Sequence, residues 1–205
     1  WGDYDNDGWL DFLLTGASGS DAVAQLWRNT GAGFTQVAVP GLPGIERGAV
    51  AWGDFDNDGR LDLLLTGVDG ADGVAQVWRN TGGDFVNINV GLPGVADGAL
   101  AWGDYNNDGR LDLLLTGDTG TGHVAQVWRN TGTSFSDIRA GLPGVSGGGS
   151  AWGDYDGDGR LDILITGRAN DGTRLAQVWR NTGSGFVNAQ AGLPGVSAGA
   201  AAWGD

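Results

Sequence analysis

Four segments of the chain each crowd acidic residues into nine positions. The first runs from Asp3 to Asp11 with the sequence DYDNDGWLD, and the others begin at Asp54, Asp104 and Asp154. All four follow the pattern D-x-[D/N]-x-D-G-x-x-D. Side chains at positions 1, 3 and 5 can aim their oxygens at one point, and the glycine at position 6 permits a sharp turn. Position 7 then offers its main-chain carbonyl, and the aspartate at position 9 closes a shell of oxygen ligands.

An all-oxygen shell predicts a calcium site in each loop. Calcium takes about six to eight oxygens, whereas magnesium keeps few protein ligands, and zinc favours histidine or cysteine. The loops are not EF-hands, because position 12 is an apolar residue of a predicted strand, such as Leu65 in the second loop. The predicted ligands, with position 7 contributing its main-chain oxygen, are Asp3, Asp5, Asp7, Trp9 and Asp11; Asp54, Asp56, Asp58, Arg60 and Asp62; Asp104, Asn106, Asp108, Arg110 and Asp112; and Asp154, Asp156, Asp158, Arg160 and Asp162.

The alternative is four acidic turns without metal, since Asp, Asn and Gly are ordinary turn residues. Four repeats in register favour the metal, because carboxylates packed this closely repel one another. The loops hold 15 of the 25 acidic residues, so four Ca²⁺ ions would bring the net charge from −14 to −6. Asn106 replaces an aspartate at position 3, and we therefore predict that the third site is the weakest.

These loops belong to a tandem repeat that spans the chain. Trp-Gly-Asp recurs five times, at spacings of 51, 50, 50 and 51 residues. Between its copies, each repeat contains the acidic loop, an apolar segment, Trp-Arg-Asn-Thr-Gly, a phenylalanine and Gly-Leu-Pro-Gly, always in that order. The predicted units are about 1–51, 52–101, 102–151 and 152–202, with 203–205 beginning a fifth unit or a closing strand.

The sequence of each unit predicts four short strands that are separated by glycine-containing loops. In the second unit they are expected at about 48–53, 60–66, 74–80 and 85–90. Leu63 and Leu65 face one side of their strand and Leu64 faces the other, so each sheet should be covered on both faces. This pattern predicts an all-β, propeller-type array of four antiparallel four-stranded blades. A closed ring, half of a larger ring and an open spiral all fit the sequence.

Composition excludes several classes of function. A net charge of −14, with arginine as the only strongly basic residue, argues against nucleic acid and anionic membrane as partners. The chain has no cysteine, and no apolar run approaches the roughly 20 residues that span a bilayer. The single histidine, His123, is interpreted as a solvated loop residue, and no serine or cysteine partner completes a triad with it. We therefore expect no enzyme activity and no catalytic residues.

The pattern D-x-D-x-D-G-x-x-D-L-L-L-T-G, followed by an aromatic-Arg-Asn strand, resembles the FG-GAP or VCBS-type repeat. That repeat forms the blades of the integrin alpha-subunit propeller, and the resemblance covers essentially the whole chain. It implies an extracellular β-propeller used in adhesion, recognition or as a scaffold, with calcium between the first two strands of each blade. Propellers of this family usually have about seven blades, whereas this chain has four repeats.

Two functions follow as predictions. The first is a secreted or cell-surface calcium-binding module that serves as an adhesion or structural scaffold and assembles end to end into a larger propeller or filament. Its partners would be other copies of itself, further repeats of a longer chain, or a cell-surface protein or glycan. The alternative is a lectin-like propeller that binds glycans in grooves between blades.

Two sequence features bear on these alternatives. Equal sugar sites in every blade are disfavoured because four loops at matching places differ in sequence. Trp9 stands where the other acidic loops have arginine, and we expect it to contact a neighbouring chain, since tryptophan is enriched at interfaces. The variable loops are 17–22, 68–73, 118–123 and 168–174.

Overall fold

The computed structural model describes residues 1–204, so the Asp205 end of the predicted fifth unit lies outside the described residues. Within that range the chain forms sixteen β-strands and no helix. The strands are β1 (Phe12–Ser18), β2 (Asp21–Asn29), β3 (Phe34–Val37), β4 (Glu46–Gly53), β5 (Asp62–Asp69), β6 (Asp72–Asn80), β7 (Phe85–Asn87), β8 (Ala96–Gly103), β9 (Asp112–Asp118), β10 (His123–Asn130), β11 (Phe135–Asp137), β12 (Val145–Ser146), β13 (Ser150–Gly153), β14 (Asp162–Ala169), β15 (Arg174–Asn181) and β16 (Phe186–Asn188). A search of residues 1–204 for a helix able to cross a membrane finds none.

The strands form four antiparallel sheets, one for each repeat, which we name the first to fourth blades. They contain β1–β3, β4–β7, β8–β11 and β12–β16, and in the first three blades each strand pairs with the next one in sequence. In the fourth blade, β12 and β13 are two parts of one inner strand, because both pair with β14. No sheet closes on itself within residues 1–204, and the prediction of a propeller-type array of antiparallel blades is confirmed. The first blade has three strands instead of the predicted four, because Gly2 forms only an isolated bridge to Asp11 where the other blades have an inner strand.

The second blade shows how closely the pattern predicted the strands. Its outermost strand, β7, is shorter than expected and ends at Asn87. Asn89 adopts a left-handed backbone with φ of 48°, which an extended strand cannot accommodate. The inner strand β4 begins at Glu46, and its register with β5 shifts between Glu46 and Ala49. Because Trp52 lies inside β4, the sequence period that starts at Trp-Gly-Asp is offset from the structural blade.

Apolar side chains from both faces of each sheet fill the spaces between blades. Leu63 and Leu65 pack with Leu26 of the first blade, while Leu64 packs with Leu113 of the third. All of these leucines are buried, as the two-sided apolar pattern predicted. The first three acidic loops also place their second residue in these spaces, where Tyr4, Phe55 and Tyr105 stack on a tryptophan of the next blade.

The Gly-Leu-Pro-Gly connector carries the chain from the outer edge of one blade to the inner strand of the next. It passes so close to the preceding blade that a β-carbon on its second glycine, Gly44, would overlap the carbonyl oxygen of Ala22. The same overlap would occur at every junction, at Gly94, Gly144 and Gly195. The first glycine of the connector is needed for another reason, since Gly41 has a positive φ of 80°.

The first blade has a neighbour on only one side. Its outward face carries an aromatic cluster in which the ring of Phe12 lies 5.2 Å from that of Trp1 and 5.0 Å from that of Phe34. Trp1 is 73% exposed and Phe34 is 44% exposed. Because this face is uncovered within residues 1–204, the four blades do not close into a ring by themselves.

Candidate metal centre

The acidic loops share one hydrogen-bonded frame, best described in the second. Both carboxylate oxygens of Asp54, at position 1, accept main-chain N–H groups, from Asp58 at 3.0 Å and from Gly59 at 2.8 Å. The turn that allows this needs left-handed residues, which are Asn57 with φ of 58° and Gly59 with φ of 85°. Equivalent bonds form in the first, third and fourth loops. The frame therefore follows directly from the Asn-Asp-Gly or Gly-Asp-Gly sequence of each loop.

The aspartate at position 9 is the buried anchor of each loop. Asp62 is fully buried and accepts the main-chain N–H of Phe55 at 3.0 Å and that of Asn80 at 2.8 Å. Burial, with a smaller contribution from the charges of Asp56 and Asp58, raises the pKa of Asp62 to about 7. Burial raises the pKa of Asp112 in the third loop to about 6. A buried carboxylate of this kind is stabilised by a cation and otherwise tends to take up a proton.

Carboxylates converge in three of the four loops. Ligand oxygens of three acidic residues lie within 4.8 Å of one another at Asp3, Asp5 and Asp11; at Asp54, Asp56 and Asp58; and at Asp154, Asp156 and Asp162. The remaining predicted carboxylates, Asp7, Asp62 and Asp158, lie in the same loops but outside these triads. The main-chain oxygens of Trp9, Arg60, Arg110 and Arg160 stay predicted ligands. An all-oxygen donor set of this charge fits a hard cation such as calcium.

The third loop differs from the other three in its carboxylate arrangement, and the weaker affinity expected from Asn106 stays a prediction. No triad of acidic groups forms there among the residues that the structure describes. The Oδ1 atom of Asn106 accepts the main-chain N–H of Asp108 at 3.0 Å, and its buried Nδ2 has no partner. A buried amide nitrogen without a hydrogen-bond acceptor lowers the stability of the loop. This arrangement is consistent with a weaker site.

Arginines neutralise part of the acidic charge, by two different arrangements. In three loops the arginine at position 7 pairs with the aspartate at position 5, as in the contact of Arg110 with Asp108 at 2.7 Å. Arg60 also donates to the carbonyl of Asn80 at 2.9 Å, tying the loop to the end of β6. Corresponding ion pairs join Arg60 to Asp58 and Arg160 to Asp158.

The first loop has no arginine at position 7, because Trp9 occupies it. Arg28, from β2, supplies the positive charge instead and lies 2.7 Å from Asp5 and 3.0 Å from Asp7. The indole of Trp9 is 52% exposed and lies over Gly31, much as Arg60 lies over Gly82. Arg129 and Arg180, which match Arg28 in the third and fourth blades, also pair with loop aspartates, Asp108 at 3.6 Å and Asp156 at 3.8 Å.

Sequence reasoning missed two sets of asparagines that join the loops of neighbouring blades. Their side chains donate hydrogen bonds across each junction, from position 4 of one loop and from the end of the third strand of the next blade. Both recur in the repeat, and that recurrence is the signal that could have found them. They are Asn6, Asn57 and Asn107, and Asn80, Asn130 and Asn181.

His123 is more engaged than the solvated loop residue that the sequence suggested. It is half-buried at the start of β10, and its Nδ1 lies 2.8 Å from the carbonyl oxygen of Arg168. Its Nε2 lies 3.2 Å from the hydroxyl of Ser146, also in the fourth blade, so the expectation that His123 has no serine partner is wrong. The other ring nitrogen faces a main-chain carbonyl and not a carboxylate, so these contacts do not form a Ser-His-Asp triad. The main-chain groups of His123 exchange two hydrogen bonds with the side chain of Asn170. The residue therefore links the third and fourth blades.

Stacked antiparallel blades with an acidic loop at the entry to the second strand define an all-β repeat module of the propeller type. The chain belongs to the FG-GAP-like repeat family, whose model matches residues 3–65, 54–115 and 104–165. Comparison with curated protein sequences finds no match.

A solved structure from Agrocybe aegerita has a similar fold. It is a lectin described for its specific recognition of non-reducing terminal N-acetylglucosamine, and it is 21% identical to this chain with a TM-score of 0.52. The match covers 90% of this chain and 53% of the lectin, so the chain spans about half the length of that structure. At this identity the likeness concerns the fold.

Proposed function

We propose that the protein is a calcium-binding, extracellular scaffold module that presents its surfaces for adhesion. The observation that carries the proposal is the acidic triad, which recurs in the same hydrogen-bonded frame in the first, second and fourth blades. Membership of the FG-GAP-like family supports it. The function needs no reacting group, since the residues of each loop hold a cation and thereby fix the blade.

The chain's own residues explain why a cation would stabilise the fold. Asp62 is buried at the start of β5 and holds both the beginning of its loop and the end of β6. Its charge is opposed by burial and by nearby carboxylates. A bound divalent cation supplies the compensating charge. Because binding favours the folded chain alone, it adds to the free energy of unfolding by mass action.

The scaffold role includes assembly through the uncovered face of the first blade. Phe34 and Leu14, 44% and 49% exposed there, correspond to Phe85 and Leu65 of the second blade. Those two residues are covered by the preceding blade of the same array. We therefore propose that another FG-GAP-like blade covers this face, from a second copy or from further repeats of a longer chain.

Sedimentation and electron microscopy of the purified chain test this assembly. Dimers, rings or filaments that dissociate in a Phe12→Ser, Phe34→Ser variant support packing between copies. If the chain is a monomer at all concentrations, the face would be covered by further repeats of a longer chain. Labelling of exposed tryptophan in that longer protein then reports whether Trp1 is covered. A face that stays exposed in both would contradict the proposal.

A second candidate, a glycan-binding module, is favoured by grooves that recur between blades. One groove of about 260 Å³ lies between the first and second blades, and its lining includes Tyr4, Arg28 and Phe85. The corresponding groove of about 300 Å³ at the next junction is lined by Phe55, Arg79 and Phe135. Recurring aromatic and arginine groups suit sugar recognition, and the variable loops lie elsewhere. A glycan array separates this candidate from the scaffold.

The calcium proposal is tested by thermal unfolding with a chelator, with calcium and with magnesium. Calcium should raise the unfolding temperature by several degrees in a concentration-dependent manner, and magnesium should have a smaller effect, since the ligands form a large shell of oxygens. Calorimetry should find about four sites, one for each repeat. Equal stability in chelator and in calcium would overturn the proposal.

A further inference from the structure

Asparagine side chains at position 4 connect each acidic loop to the next one. The Nδ2 of Asn57 donates to the carbonyl oxygen of Gly109 at 2.8 Å. Gly109 is position 6 of the third loop, and its N–H donates to the predicted ligand Asp104 at 2.7 Å. One residue is therefore held by its own loop through its N–H and by the preceding loop through its carbonyl. The same bond joins the other two pairs of loops, Asn6 to Gly59 and Asn107 to Gly159.

A second hydrogen-bonded path runs between the same two loops. The main-chain N–H of Asn130 donates to the buried ligand Asp112 at 2.8 Å. The side chain of Asn130 donates to the carbonyl oxygen of Phe55 at 2.8 Å, and Phe55 is position 2 of the second loop. The equivalent bonds at the other junctions join Asn80 to Tyr4 and Asn181 to Tyr105.

We propose that the calcium sites of neighbouring blades are coupled through these asparagines, so that a cation in one loop raises the affinity of the next. This inference rests on the proposed calcium function. Asn57 lies between the predicted ligands Asp56 and Asp58, and its position depends on the order of that loop. When a cation orders the second loop, Asn57 holds the Gly109 peptide in place, and the third loop then loses less conformational entropy on binding.

The size of the coupling follows from the bonds involved. One hydrogen bond of this kind changes an equilibrium about 2- to 10-fold. Coupling between two binding sites is reciprocal, so the third loop should affect the second by the same factor. The array would then load with calcium over a narrower concentration range than four independent sites.

The fourth loop shows that an acidic loop can fold without the position-4 asparagine. Its position 4 is Gly157, which keeps the left-handed backbone with φ of 73° but has no side chain to donate. Asn57→Gly therefore copies a loop that this chain already folds. Asn89→Gly is the matched control, because Asn89 lies in the same blade with φ of 48° and its side chain bonds only to Asn87.

Nuclear magnetic resonance of the ¹⁵N-labelled chain during a calcium titration measures the calcium midpoint of each loop separately. The position-6 amides of Gly8, Gly59, Gly109 and Gly159 serve as the four reporters. In Asn57→Gly, the calcium midpoint read at Gly109 should rise about 2- to 10-fold although no residue of the third loop has changed. Asn107→Gly should raise the midpoint read at Gly159 in the same way.

The outcomes separate this inference from the calcium function itself. If calcium saturates all four reporters and the Gly109 midpoint moves no more in Asn57→Gly than in Asn89→Gly, the coupling is wrong and the calcium function stands. If none of the four reporters responds to calcium at millimolar concentration, both proposals are wrong. Should Asn57→Gly unfold, the Gly159 midpoint in Asn107→Gly decides in its place.

Discussion

The first and second blades have nearly the same sequence and very different surroundings. Leu65 in the second blade is fully buried, while Leu14 at the matching position of the first is 49% exposed. Phe85 and Phe34 differ in the same direction, at 6% and 44% exposure. The second blade lies between two neighbours, whereas the first has one. These side chains are therefore buried only where a neighbouring blade packs against them. The free energy of unfolding should depend on contacts between adjacent blades, as in other repeat proteins.

The largest expected contrast comes from truncating the matched leucines. Leu65→Ala should lower the free energy of unfolding by about 2–5 kcal/mol, because it leaves a cavity in a filled junction. Leu14→Ala should cost less than about 1 kcal/mol, because half of that side chain is already in water. Urea unfolding of both variants at one calcium concentration measures the difference. Equal losses would mean that another molecule covers the first blade in solution.

The matched asparagines at the ends of β6 and β2 should differ next. The side chain of Asn80 donates to two carbonyl oxygens, of Tyr4 across the junction and of Leu61 in its own blade. The side chain of Asn29 donates only to the carbonyl oxygen of Leu10. Asn80→Ala should therefore cost about 1–3 kcal/mol, because it leaves buried carbonyls without a donor, and Asn29→Ala about 1 kcal/mol or less. A larger loss for Asn29→Ala in the same assay would contradict the junction's role.

The third blade lies between two neighbours, as the second does, but its acidic loop has one carboxylate fewer because Asn106 replaces an aspartate. Asn106→Asp should strengthen calcium binding in the third loop about tenfold, or about 1.4 kcal/mol, since it adds a carboxylate to the cation's shell. The reverse change, Asp56→Asn, should weaken the second loop by a similar factor. Calorimetric titration of both variants measures the two shifts. Unchanged affinity in Asn106→Asp would contradict the prediction that the third site is the weakest.

Burial of the position-9 aspartates in the second and third blades should also make the stability of the protein depend on pH. The folded-state pKa of Asp62 is about 7 and that of Asp112 about 6, both above the usual aspartate value of about 4. Between about pH 4 and 7 the folded chain then binds more protons than the unfolded chain, so the metal-free protein should lose stability as pH rises. Calcium should remove this loss, because the cation replaces the protons.

Thermal unfolding at pH 5, 6, 7 and 8, with chelator and with calcium, tests that dependence. In chelator the unfolding temperature should fall as pH rises, and the calcium-induced increase should grow over the same interval. As the solution is acidified, the calcium affinity of the second loop should begin to fall at a higher pH than that of the third. A metal-free unfolding temperature that rises steadily from pH 5 to pH 8 would contradict the assignment of these pKa shifts.

The smallest effect is expected where the first loop is made to resemble the others. Trp9→Arg should change the free energy of unfolding by less than about 0.5 kcal/mol, because an exposed ion pair contributes little and Arg28 already pairs with the loop. The variant also tests the predicted contact of Trp9 with a neighbouring chain. Sedimentation analysis should show weaker self-association, and an unchanged profile would refute that contact.

The fold and the loops were predictable because their signals are local. Trp-Gly-Asp, the Asn-Asp-Gly turn and the two-sided leucine strands each act within a few residues, and four copies in register make each signal strong. The pairing of Arg28 with both Asp5 and Asp7 was not predictable, because it depends on how the end of β2 lies over the first loop. The bond from Asn57 to Gly109 joins residues 52 positions apart and exists only once two blades are stacked. Position 4 is asparagine in three loops and glycine in the fourth, and both are ordinary turn residues, so the sequence alone does not distinguish a bond to the next blade from a turn preference.

The connector at Gly44 bears on how such an array changes during evolution. The contact that excludes a side chain there is made with a main-chain oxygen, and every peptide unit carries one. A duplicated or transplanted repeat therefore meets the same surface whatever side chains its new neighbour carries. The two glycines of the connector, copied in register with its proline, allow the same close approach at each new repeat. The exposed loops are then free to diverge, which gives a lineage a means to lengthen the protein and vary its surface independently.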